Sequence, residues 1–364
     1  MTTDVAVEAT SSATSAAAAN SPSIPRGRPS WRQLALPFVI LAIVFVVALP
    51  RIVDYRAVAL AIASLGPRDV LLPVATSCIA YVANAAPYRI LVRELSWPHA
   101  VGADVAGRAV ASTIPGPTDI ATRLLLYTQW RIPLDRASAG LVIGGLLETV
   151  SALVLPLIAI GVILVGGGRI EPAGATLAAI GVLVLALGTA VFSAIVRSER
   201  LARRIGDWLA RAIGWLMGRL HRRGPAGVSD AVMALRVQFH EIQNRDGLEA
   251  YGAAVLAKLA WFLVLMVSLR ACGVGPEVIS PATVLATMAV VSIVALVPIT
   301  PGALGVSEVA YIALLTAAID PAYTAQVAAA VLLYRVAQWL VPIPLGWALF
   351  IVMRRGHGLF AEAQ

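Results

Sequence analysis

The chain has 364 residues, 59% of them hydrophobic and 13% charged, with a mean hydropathy of +0.84. A soluble globular protein carries about 25% charged residues, so a water-soluble class is excluded. The net charge of +8 is almost all arginine, with Lys258 the only lysine; beside apolar blocks long enough to cross a bilayer, it tracks membrane topology and not a nucleic-acid surface.

The expected fold class is an all-α polytopic membrane protein, because the alternating segments of a transmembrane β-barrel are missing from the sequence. Cys78 and Cys272 lie in or at the end of apolar segments and form no CxxC pair or His/Cys cluster. No metal site and no cofactor are therefore expected.

Residues 1–33, rich in Ala, Ser, Thr and Pro, read as a disordered cytoplasmic tail. The apolar run 34–49 follows Arg26, Arg28 and Arg32. Its long preceding tail and the lack of a small-residue cleavage site make it a first, uncleaved helix. Further spans are expected at about 70–92, 137–165, 172–196, 249–271 and 322–353, giving about six.

Two more apolar stretches, 104–131 and 282–320, are broken near their centres. The first reads "ASTIPGPTDIATRLLLY", with Pro115, Gly116 and Pro117 at the break. The second reads "VALVPITPGALGVSEVAY", with Pro298, Pro301, Gly302 and Gly305. Each either crosses as a kinked helix or turns back at Pro-Gly. Arginine placement arbitrates, since cytoplasmic loops collect Lys and Arg. With both stretches re-entrant, Arg93, Arg136, the ten arginines from Arg197 to Arg245, Arg354 and Arg355 are cytoplasmic, as are both termini. Only Arg51, Arg56, Arg68 and Arg169 remain outside. The two breaks then dip from opposite faces, which is an inverted repeat with broken helices at matching positions.

The halves are 34–196 and 249–355, followed by a short tail, 356–364. Between them, 197–248 is a basic cytoplasmic insert. Within it, "ERLARRIGDWLARAIGWLMGRL" (199–220) sets Leu201, Ile205, Trp208, Ala212 and Trp215 near one face. That pattern reads as an amphipathic helix on an anionic membrane surface, or one packed on its own protein.

Ionisable side chains at membrane depth are functional candidates by default. Arg123, Glu148, Glu308 and Arg335 stand out, and Arg123–Glu148 and Glu308–Arg335 are the expected ion pairs. Helix starts at Thr118, with Asp119 in its first turn, and at Ser307 and Glu308 would present free N–H groups. Together with the arginines, they would form a shared site suited to a phosphate.

These residues resemble a known family. "PGALGVSE" (301–308) followed by "LLYRVAQWLVPIPLG" (332–346) resembles the signature of the lysylphosphatidylglycerol synthase transmembrane-domain family, the flippase-like domain of multiple peptide resistance factors. "IPGPTDIATRLLLY" and "GLLETVSAL" resemble its other motif, although Ile120 stands where that family commonly has Glu. The resemblance covers roughly residues 34–353 and implies the membrane half without the aminoacyl-transferase domain.

The expected function is lipid translocation in the cell membrane, with an anionic phospholipid or polyprenyl-phosphate lipid as partner and no nucleic acid. Arg123, Arg335, Thr118 and Ser307 would bind the head group, with Glu148, Glu308 and Asp119 as charge partners. No P-loop is present and no enzyme activity is expected. A lipid-phosphate transferase and a small-anion transporter are the rivals, and homo-oligomerisation stays open.

Overall fold

The structure, a computed structural model, describes residues 54–113, 118–165, 245–295, 303–317 and 319–355, with scattered positions between 183 and 211. The expected spans 34–49 and 172–196, both tails, most of the insert 197–248, and Pro115, Gly116, Pro301 and Gly302 lie outside the described residues.

The described residues are helical. The helices are α1 (Tyr55–Ala63), α2 (Pro67–Leu91), α3 (Trp97–Thr113), α4 (Thr118–Gln129) and α5 (Leu134–Val165), then α6 (Arg245–Ala271), α7 (Pro281–Val294), α8 (Val306–Thr316), α9 (Thr324–Arg335) and α10 (Pro342–Arg355). Their starts follow ordinary capping chemistry. Asp54 accepts the Arg56 N–H, Asp69 accepts the Gly66 N–H, and Ser280 accepts the Thr283 N–H ahead of Pro281. Among the described residues, four segments are long and apolar enough to cross a membrane: Pro67–Leu91, Leu134–Leu164, Asp246–Ala271 and Pro321–Met353. They coincide with the expected spans at 70–92, 137–165, 249–271 and 322–353.

α2 and α6 share the broadest helix contact and run antiparallel. Arg93, just past α2, places Nη2 2.6 Å from Oδ2 of Asp246 at the start of α6. The interrupted stretches each form two helices that pack on one another, α3 with α4 and α7 with α8. His99, near the start of α3, stacks on Trp130, just past α4, with ring centroids 4.2 Å apart. That stretch therefore ends beside where it began. At 12 and 11 residues, α4 and α8 reach only about 17–18 Å.

The halves brace each other reciprocally. α3 packs on α10, and α7 packs on α5. Small residues permit this, as van der Waals fit holds membrane helices together. A Cβ on Gly346 would lie 2.4 Å from the Val105 carbonyl oxygen, so α10 rests directly on the α3 backbone. Ala103, Ala106 and Ala109 on α3 are fully buried.

α9 does not run smoothly into α10. Pro342 has no N–H to offer the Gln338 carbonyl, and the Val341 N–H bonds Val336 at 3.0 Å instead of Ala337. Residues Val336–Leu340 consequently form a π turn. The two freed carbonyls, of Ala337 and Gln338, both receive the Tyr81 hydroxyl from α2.

Candidate functional site

The second break ends in strained backbone. Ala303 has φ +52° and Gly305 has φ +82°, the region that favours glycine. α8 then starts, with Ser307 and Glu308 buried in its first turn. One oxygen of Glu308, Oε2, accepts the Gly305 N–H at 2.7 Å; the other, Oε1, lies 2.7 Å from Nε of Arg335. Arg335 closes α9 immediately before the π turn. Its Nη1 donates to Oε1 of Gln338 at 2.7 Å, and its guanidinium lies 5.5 Å from the Trp339 ring centre. The expected Glu308–Arg335 pair is thus formed, buried and hydrogen-bonded on both sides.

The first half is built differently. Arg123, 2% exposed, is held by Asp119 one turn earlier on α4, at 2.8 Å, and by Asp104 of α3, at 2.9 Å. Asp104 also accepts from Arg108 at 3.1 Å and Asn84 at 3.0 Å. Gly107 makes room for this, since a Cβ there would sit 2.2 Å from Oδ1 of Asp119. Tyr88 lies under the Arg123 guanidinium, 4.6 Å from ring centre to Cζ.

The expected Arg123–Glu148 pair is not formed. α3 packs on α4 and supplies Asp104, which together with Asp119 takes Arg123. Glu148 on α5 instead faces Arg108 at 3.7 Å, Lys258 of α6 at 3.6 Å and the Tyr88 hydroxyl at 3.4 Å. The sequence reading missed Asp104, Arg108 and Lys258 as members of this network. Two signals pointed to them: Asp104 and Arg108 stand four residues apart in an apolar stretch, and the sole lysine falls mid-span.

A chamber of about 410 Å³ opens between the halves. Glu148, Lys258, Arg335, Gln338 and Ser307 line it, with Trp261, Tyr311, Tyr334 and Trp339 as aromatic wall. Ala295 and Ala303, flanking the second break, also face it. Thr118, Asp119 and Arg123 do not: Thr118 opens α4, and Arg123 is buried in the neighbouring cluster. Among the described residues, the flanks of the second break line this chamber, and the Arg108–Glu148 contact links the first cluster to it. Among the described residues, no group of three or more His, Cys, Asp or Glu side chains could hold a metal ion.

Lys258, Glu148 and Arg335 each sit near the middle of a membrane-length segment. In a low-dielectric interior two such cations attract an anion strongly, and the aromatic wall can contact apolar groups or a cation face.

Long apolar helices around a charged central chamber define a multi-pass α-helical membrane protein. The family model for the lysylphosphatidylglycerol synthase TM region matches residues 34–346, and the chain belongs to that family. Comparison with curated proteins gives no match.

Proposed function

We propose that the protein is a lipid translocase of flippase type, moving an anionic phospholipid or polyprenyl-phosphate lipid between the leaflets of the cell membrane. The observation that carries this reading is the chamber between the halves, which sets Lys258 and Arg335 at the middle of two membrane-length segments. A phosphate crossing hydrocarbon needs cationic hydrogen-bond donors at that depth. The head group would sit against Arg335, Lys258 and Ser307, with Arg123 and Thr118 supporting the site through the adjacent cluster.

The architecture is consistent with an inverted repeat of two re-entrant hairpins. Support comes from the antiparallel α2 and α6, from the His99–Trp130 stack, and from the reciprocal packing of α3 on α10 and α7 on α5. In this reading the Arg93, Arg136 and Asp246 end is cytoplasmic, with both termini on that side.

Leaflet-resolved exchange in liposomes tests the function. Fluorescent phosphatidylglycerol in protein-containing vesicles should reach reducing agent from the inner leaflet faster than in protein-free vesicles. Exchange no faster than in empty vesicles defeats the proposal. Release of a modified lipid product would favour the transferase, and uptake of inorganic phosphate without lipid exchange would favour the small-anion transporter.

A further inference from the structure

Among the described residues at membrane depth, the charged groups differ in how closely they are paired. Arg335 and Arg123 are locked, with carboxylate oxygens at 2.7–2.9 Å. Lys258 and Glu148 are not. The Lys258 ammonium has three donors, yet among the described residues its one charge partner is Glu148, at 3.6 Å. That is too long for a hydrogen bond. Glu148 in turn holds Arg108 at only 3.7 Å and receives a long 3.4 Å bond from Tyr88. Both residues face the chamber. An ammonium that faces the chamber with only a long-range charge partner, beside a carboxylate held only at long range, is open to exchange for a better-placed anion.

We infer that Glu148 is a placeholder for the substrate's phosphate, held against Lys258 in the empty chamber and displaced when the phosphate arrives. This rests on the translocase reading and deepens it: Lys258 becomes the primary phosphate receptor. The free anionic oxygens of a phosphate, two on a diester and three on a monoester, give the ammonium donors acceptors that one carboxylate at 3.6 Å does not. Arg108 then retains Glu148, so the displaced carboxylate is not stranded. When the phosphate leaves, Glu148 returns to Lys258 and clears the site. The carboxylate thus trades affinity for release.

The test uses the full chain, purified in detergent, with dihexanoyl-phosphatidic acid and inorganic phosphate titrated separately. Lys258→Ala should weaken binding by more than about tenfold. Glu148→Gln, which removes the competing anion, should tighten it several-fold. In the double variant the tightening should vanish, because its target is gone. In vesicles Glu148→Gln should lower both the half-saturating lipid concentration and the maximal rate, a split that a purely structural residue would not produce. Lys258→Gln replaces Lys258→Ala if the latter does not fold.

Weaker or unchanged binding in Glu148→Gln overturns the placeholder role, as does tightening that persists without Lys258. Either result leaves the translocase reading intact provided wild-type exchange occurs. Tightening without any lipid exchange keeps the placeholder and removes the translocase. A response to inorganic phosphate alone keeps the exchange but overturns a lipid as its source. Failure of the wild type to bind either probe overturns both.

Discussion

The Tyr81 hydroxyl on α2 donates to the Ala337 carbonyl in the π turn that follows Arg335. It joins α2, a membrane-length helix, to the π turn where the segment from α9 to α10 loses its regular bonds. Arg335 and Gln338 stand on either side of that bond, and both face the chamber.

Tyr81→Phe should therefore do more than delete a surface contact. It leaves the buried Ala337 carbonyl and the half-buried Gln338 carbonyl short of a donor, at about 1–3 kcal/mol. The expected outcome is a lower unfolding midpoint in detergent and slower lipid exchange, with membrane insertion unchanged. An unaltered midpoint would mean that water replaces the hydroxyl.

Arg335 and Glu308 form the second test. Removing one partner of a buried pair leaves an uncompensated charge and costs about 3–5 kcal/mol. Arg335→Ala and Glu308→Ala should each destabilise strongly, and the double variant should recover part of the loss. Exchange activity should stay absent in Arg335→Ala and in the double variant, because the cation itself is needed. A charge swap, Arg335→Glu with Glu308→Arg, should restore stability more than either single reversal. Thermal unfolding of detergent-purified variants reads all of these.

Gly107→Ala probes the first cluster. Its new methyl would meet Asp119 at 2.2 Å and push the carboxylate off Arg123. Overpacking of this kind costs about 1–3 kcal/mol. The same substitution at Gly145, where a Cβ meets nothing within 4 Å, should be nearly neutral. Comparing the two unfolding midpoints separates a packing clash from loss of a flexible glycine.

Cysteine labelling tests the hairpins. If the 97–129 stretch turns back, cysteines placed at Ser96 and Arg131 should react with an impermeant thiol reagent from the same face of the vesicle. Cysteines at Ser280 and Asp320 should both react from the opposite face. Labelling of one pair from two faces means that its stretch crosses.

Much of this was legible in the sequence, because the signals are local. The spans of α2, α5, α6 and α9–α10 follow from apolar length alone. The break before α8 follows from Gly305, whose positive φ few other residues tolerate. The Glu308–Arg335 pair was also readable, since the carboxylate sits in the first turn after the break and needs a partner. The partner of Arg123 was not. Asp104, Asp119 and Glu148 all sat within plausible reach in sequence, and only the packing of α3 on α4 decides among them. Lys258 was read only as the sole lysine, because its partner lies on another helix, Glu148, over a hundred residues away. The π turn was foreshadowed only by Pro342.

The reciprocal seating of α3 on α10 and of α7 on α5 has a consequence for how such a molecule arises and can be taken apart. Each half leans on a wall that belongs to the other, through α3 on α10 and α7 on α5. If the halves are an inverted repeat, as proposed, one copy inserted alone would want a sibling inserted upside down. Two fragments cut between residues 220 and 244, ahead of α6, should find each other again in the bilayer, while either by itself should be cleared by proteolysis.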